Sequence, residues 1–211
     1  MSTTVEPRGG GVDLNIWLGR AHEDAHEDPS FADLALQLSR LQEVVAGVRP
    51  PAAMSRETAD TLARLVDALA PHEVDERTQP AGRQFRHPGR GQTLLPAMDV
   101  EEYDGTTVRG RVTFGRFYLG SNAAAHGGAI CLVFDDLLGQ LANGPGQPRS
   151  RTAYLRVDFR RIVPVGRELS VSGGLTRTEG RKLFIEGELS DGESVLSHAE
   201  GLFVQLEQHH V

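Results

Sequence analysis

Cysteine occurs once in the 211 residues, tryptophan once and tyrosine three times. A lone Cys131 closes no disulfide within the chain, so a disulfide-stapled fold is excluded and a reducing, cytoplasmic setting is expected. The first residues carry neither the charged start nor the apolar stretch of a secretory signal, which supports the same expectation. Long hydrophobic runs are missing too. The longest, Ala129 to Phe134, falls far short of the roughly 20 apolar residues that cross a bilayer, so no membrane span is expected. Nor is there an excess of positive charge: 22 Lys and Arg against 29 Asp and Glu give a formal net charge of −7. Such a surface repels a phosphate backbone, and a nucleic-acid partner is not expected.

The remainder is an ordinary globular balance, 39% hydrophobic and 24% charged. Arg149, Arg151, Arg156, Arg160, Arg161 and Arg167 lie close together in sequence, and a basic rim on an acidic protein suits a small polyanionic ligand.

Residues 1 to about 30 are polar, apart from a patch around Trp17, and read as an arm in loop conformation with Trp17 docking it to the body. Leu34, Leu38, Leu41 and Val45 recur at helical spacing over Phe31 to Val48, after Ser30 as cap and before Pro50-Pro51. Ser55 opens a second helix whose apolar stripe, Leu62, Leu65, Val66 and Leu69, closes at Pro71. The pair reads as a helical hairpin, and the Pro-, Gly- and Arg-rich stretch from 72 to 92 as a connection over the surface. Residues 1–80 thus form an arm and hairpin, and 81–211 a second unit.

In that second unit the pattern changes. Val108, Gly110, Val112 and Phe114 alternate with polar residues, as on a strand with one buried face. Residues 127–142 are apolar almost all round, which predicts a helix buried on most sides. Four further strands follow, over 152–163, 168–177, 182–190 and 195–206, separated by Gly- and Pro-containing turns. One long buried helix with antiparallel strands on either side in sequence predicts an α+β fold, a sheet wrapped around a single helix.

The helix also carries the chemistry. Asp135 and Asp136 sit in the middle of an otherwise aliphatic segment, where an uncompensated carboxylate is costly, and catalysis is one compensating reason. Gly127 and Gly128 at its start let a ligand approach a first turn whose free N–H groups stabilise negative charge. An oxyanion site at one end and a carboxylate about two turns further on suit acyl transfer from a thioester to water. Cys131, among aliphatic residues, reads as packing. His22-Glu23-Asp24-Ala25-His26 has the letters of a zinc-peptidase motif, but its polar surroundings and the following Asp28-Pro29 leave no buried helix to present it. Neither metal nor cofactor is expected.

The string His126-Gly127-Gly128-Ala129-Ile130-Cys131-Leu132-Val133-Phe134-Asp135-Asp136 resembles the signature of hotdog-fold acyl-CoA thioesterases of the PaaI and mammalian THEM type. The resemblance continues in Thr152 to Arg161, in Glu179 to Ile185 and in Ser197 to Val204, and covers residues 105 to 206. It implies a hotdog fold, hydrolysis of an acyl-CoA, and Asp135 as general base or nucleophile, with Asp136 a rival on spacing alone. It further implies that Gly127 supplies the oxyanion N–H with help from Gly128, and that His126 orients the carbonyl or the loop. Thr152 would position the attacking water, and Asn122 would contact substrate. Arg181 and Lys182, with some of the arginines near 149–161, are candidates for the CoA phosphates. The resemblance implies a homodimer or a dimer of dimers with the site shared between chains. A non-catalytic acyl-CoA-binding protein and an enoyl-thioester hydratase or dehydratase are the alternatives.

Overall fold

The structure is a computed structural model that describes residues 3–4, 28–76, 78–84 and 87–207. His22 to His26, Trp17, most of the N-terminal arm, and His209-His210 lie outside the described residues. Within the arm, Thr3–Thr4 forms a short strand, β1.

Helix α1 spans Pro29–Gly47 and α2 spans Ala52–Leu69. The strands β2 (Met98–Tyr103) and β3 (Thr107–Thr113) precede helix α3 (Gly127–Ala142). Then come β4 (Ser150–Phe159), β5 (Glu168–Glu179), β6 (Lys182–Asp191) and β7 (Ser194–Gln205). One antiparallel sheet orders them β2-β3-β5-β6-β7-β4, with β1 added against β5. The expected fold is observed: α3 lies against a single curved face of the sheet.

The core follows from the two periodicities. From α3, Ile130, Val133, Phe134, Leu137, Leu138 and Leu141 are buried, and they meet Val108, Val112, Leu169, Val171, Ile185, Leu189 and Phe203 from alternate strand positions. Glycine brings the two layers together. A Cβ at Gly173 would lie 2.8 Å from Leu138, and one at Gly187 would lie 3.2 Å from Phe134, so the helix rests directly on backbone there. Gly173 and Gly187 are register partners on β5 and β6, which makes one trough across two strands.

Several expectations need correction. Strand β2 was not foreseen, and the strand after α3 begins at Ser150 and stops at Phe159 rather than running from 152 to 163. Helix α1 is capped by Asp28, whose Oδ1 accepts the N–H groups of Ser30 at 2.9 Å and Phe31 at 3.3 Å; Ser30 lies inside the first turn. Helix α2 begins at Ala52, and the Ser55 hydroxyl donates to the Pro51 carbonyl.

The hairpin expectation also fails in its packing. Leu34, Leu38 and Val45 of α1 face outward, while the face holding Ala32, Ala35 and Glu43 docks. Helix α2 buries no residue. The connection after residue 72 is not wholly superficial: Gln84 is fully buried, its Oε1 accepts the Asp28 N–H at 2.9 Å, and Arg90 reaches α3.

Candidate active site

Position along α3 separates the two acidic residues. Successive residues are turned about 100° around a helix, so two adjacent carboxylates face different surroundings. Asp136 points to the side where Arg90 reaches α3, is paired with that residue and accepts a hydrogen bond from Gln140. Burial pushes its carboxyl above the ordinary value, and Arg90 and Gln140 pull it part of the way back. Asp135 is exposed, and Thr152 Oγ1 donates to its Oδ1 at 3.1 Å. The desolvated acid of the helix is therefore Asp136, and the open one is Asp135. That corrects the premise that burial would mark the catalytic carboxylate.

Thr152 owes its place to register. It lies opposite Phe203 of β7, a buried residue on the helix side of the sheet, and a bulge between Thr152 and Tyr154 follows immediately. At the bulge the strand kinks, which is a common device for aiming a side chain at a site. Strand β4 is also an edge: among the described residues it pairs only with β7.

At the other end of α3, His126 is the N-cap. Its Nδ1 accepts the Gly128 N–H at 3.0 Å, which leaves the ring proton on Nε2. The Gly128 amide hydrogen is thereby committed, whereas the Gly127 N–H makes no hydrogen bond among the described residues. A methyl group at Gly127 would stand 3.3 Å from Cζ of Phe159, so the edge of that ring occupies space that a side chain would crowd.

The loop leading to His126 is tied at both edges. Ala125 N–H donates to Val163 O at 2.8 Å and His126 N–H to Tyr118 O at 2.7 Å. Asn122 and Ala123 occupy the left-handed region, φ 54° and 58°, at the centre of a turn closed by Ala124 N–H to Ser121 O at 3.0 Å. Asn accepts that conformation easily, Ala does not, so the turn is held by its surroundings. Asn122 is exposed four residues before His126. Below the loop, Glu43 of α1 accepts the N–H groups of Arg116 at 2.6 Å and Phe117 at 2.9 Å. Beside it the Tyr118 hydroxyl is pushed up to about 12 by burial and the Glu43 charge, and so stays protonated. Neither Arg90 nor Glu43 was foreseen, since each lies tens of residues from the group it holds.

The basic residues separate by partner. Arg156 is paired with Asp158 and Arg167 with Asp191. Lys182 and Arg151 both face Val204 across β6, β7 and β4, so they share one end of the sheet. Arg149 and Arg181 join them there, through Leu206 N–H to Arg149 O and Gln205 N–H to Arg181 O; Arg181 also pairs with Glu207. Cys131 is only partly buried, and desolvation raises its thiol, which disfavours a thiolate nucleophile.

Residues 122–198 match the family model described as Thioesterase superfamily. The sheet-wrapped helix has the hotdog fold, and this stretch of the chain is similar to the thioesterase superfamily. That match spans the turn at Asn122, the whole of α3 and Thr152. Among curated proteins, acyl-coenzyme A thioesterase THEM4 of Bos taurus is 33% identical over 95 residues, 44% of this chain and 38% of that protein. Its Rattus norvegicus counterpart is 32% identical over 84 residues, 39% and 36% respectively. The chain thus spans well under half the length of the curated relatives it matches. A thioesterase-superfamily protein of known crystal structure covers 82% of this chain and 94% of its own, at 27% identity and a TM-score of 0.68. A Streptococcus mutans protein solved with acetyl CoA covers 54% and 91% at 14% identity and a TM-score of 0.50, a likeness of fold alone.

Proposed function

We propose that this hotdog domain hydrolyses the thioester of an acyl-CoA, releasing a free acid and CoA, with Asp135 as the group that activates water. One observation carries the reading: of the two acids on α3, Asp135 is the open one and is held by the Thr152 hydroxyl, while Asp136 is consumed by Arg90. The relatives named acyl-coenzyme A thioesterase and the acetyl CoA held by a neighbour of the same fold support the substrate class.

In this reading Asp135 takes a proton from water as the oxygen attacks the acyl carbon, and Thr152 fixes the carboxylate and the water. The carbonyl oxygen becomes an oxyanion on the Gly127 N–H, with His126 Nε2–H as a second donor. Collapse of the tetrahedral intermediate breaks the C–S bond, and the thiolate leaves and takes up the proton. Direct attack by the Asp135 carboxylate, through a mixed anhydride that water then opens, is the mechanistic variant. Gly128 serves the site by donating to the His126 ring.

Asp135 and Gly127 of one chain cannot meet on one carbonyl, because eight residues of helix separate them by about 12 Å. The reading therefore includes a homodimer in which Asp135 and Thr152 of one chain face Gly127 of the other. The open edge of β4 supports it: Thr152 lies beside Asp135 at one end of that strand, and Phe159 beside Gly127 at the other. A two-fold axis near the middle of β4 exchanges those ends. Arg149, Arg151, Arg181 and Lys182, gathered at the Thr152 end, would hold the CoA phosphates, and Asn122 would flank the substrate. Residues 1–80 are then an appended unit and 81–211 the catalytic one.

Release of free thiol across short, long and aromatic acyl-CoAs tests the activity. Asp135→Asn should lower turnover by about 100- to 10,000-fold while acyl-CoA binding persists. Near-normal rates in that variant would refute the assignment, and binding without thiol release by the wild type would favour a non-catalytic sensor.

A further inference from the structure

Phe159 is the last residue of β4 and faces the helix side of the sheet, since its register partner Ser197 is fully buried. Yet within one chain the residue is 55% exposed, on the β4 edge where the proposed dimer brings the partner chain to Gly127. An aromatic ring on the inner face of a strand is normally covered, and leaving it open forgoes the free energy of burial. Its para edge lies against Gly127, with Cζ, Cε1 and Cε2 at 3.3, 3.6 and 3.9 Å from where a Cβ would be. The open part of the ring therefore stands beside the one amide hydrogen at the start of α3 that has no partner among the described residues. Further along the chain Ile162 is 66% exposed, and the neighbouring Val163 carbonyl holds Ala125 in the loop before His126.

We propose that Phe159 is a specificity-determining residue whose exposed ring contacts the first carbons of the acyl group, selecting acyl-CoAs that are apolar next to the carbonyl over those with a hydroxyl there. This rests on the thioesterase reading, and in particular on the carbonyl oxygen sitting at the Gly127 N–H. A carbonyl placed there brings its α and β carbons within reach of a ring whose edge lies 3.3 Å from where a Gly127 Cβ would be. An apolar chain then covers both its own surface and the ring's. A β-hydroxyl in the same place meets hydrocarbon with no partner and loses its water, which costs free energy. The packing also bears on Gly127 itself, because a Cβ at that position would stand 3.3 Å from the ring, which would have to give by a few tenths of an ångström.

The test uses the Asp135→Asn protein, so that ligands stay intact, titrated calorimetrically with butyryl-CoA, 3-hydroxybutyryl-CoA and free CoA. Adding Phe159→Ala should weaken butyryl-CoA about tenfold, 3-hydroxybutyryl-CoA less than about threefold, and free CoA not measurably, as expected for losing part of one buried ring. Phe159→Leu should retain most of the butyryl-CoA affinity, which separates a lost apolar contact from a lost fold. An unchanged butyryl-CoA affinity in Phe159→Ala, or an equal loss for all three ligands, overturns the inference. Thiol release by the wild type is measured alongside. If the binding preference behaves as stated but no thiol appears, hydrolysis fails and the role of Phe159 stands; if no acyl-CoA binds at all, both fall.

Discussion

Asp135 and Asp136 are neighbours in the chain, yet the two sides of α3 that carry them have little in common. One side is wet, with a carboxylate held by a single hydroxyl; the other is reached by Arg90 from 46 residues upstream and closed by an ion pair. Taking two charges out of water is expensive, and the Arg90 pair offsets that expense without making Asp136 available for chemistry. Helices α2 and α3 make the same point on a larger scale. Both carry apolar residues at helical spacing, but α3 buries eight residues and α2 none. A pattern of side chains states what an element is able to bury, and only its neighbours decide what is buried.

If the two sides of α3 differ as described, substitutions should separate activity from stability. The largest effects belong to the wet side: Asp135→Asn, and Gly127→Pro, which deletes the free N–H at a first helical position that tolerates proline, should each lower thiol release at least about 100-fold with little change in Tm. Next is the covered side. Arg90→Met leaves Asp136 buried without its cation and should cost roughly 3 kcal/mol in denaturant unfolding, whereas the Arg90→Met, Asp136→Leu double variant should recover most of it. Both should keep kcat per folded molecule within a few-fold.

A smaller effect is expected at Thr152. Thr152→Val removes the one hydrogen bond to the Asp135 carboxyl group described above, and kcat/KM should fall about tenfold with unchanged stability. Smaller still is the pH signature of Asp136. Its folded-state carboxyl lies above the ordinary 3.8, so the native protein holds that proton longer than the unfolded chain. This group's contribution is most favourable below 3.8 and is lost as pH rises through the folded value. Unfolding of the wild type compared with Asp136→Asn should show that loss just above pH 3.8, and Arg90→Met should extend it to higher pH. No such difference would mean that Asp136 is not desolvated. The smallest change is expected on α2, where Val66→Ser should alter stability by no more than about 0.5 kcal/mol.

These contrasts also mark what was legible in the sequence. Strand β3 could be read because Val108, Val112 and Phe114 alternate over a buried face. Strand β2 could not: it is a largely exposed edge, and a bulge between Val100 and Glu102 breaks its alternation. The central helix announced itself by being apolar on most sides, and its motif pointed to Gly127 and Asp135 together. Which acid was open could not be read, because that depends on Arg90, whose left-handed backbone between Gly89 and Gly91 is a tertiary outcome. The same holds for Glu43, whose bonds to the 116–117 amides carry α1 onto the loop that leads to His126. Local spacing foresaw that α1 forms, but named the wrong face for its docking.

Catalysis as proposed needs two chains to complete one site, and mixing two inactive variants tests that requirement most directly. Chains carrying Asp135→Asn are combined with chains carrying Gly127→Pro, unfolded and refolded together. Each mixed dimer then has one site with both lesions and one with neither. With random pairing, about a quarter of the wild-type thiol release should return, since half of the dimers are mixed and each has one intact site. Activity no higher than that of the two variants assayed apart, in a mixture shown to contain mixed dimers, would contradict the shared site.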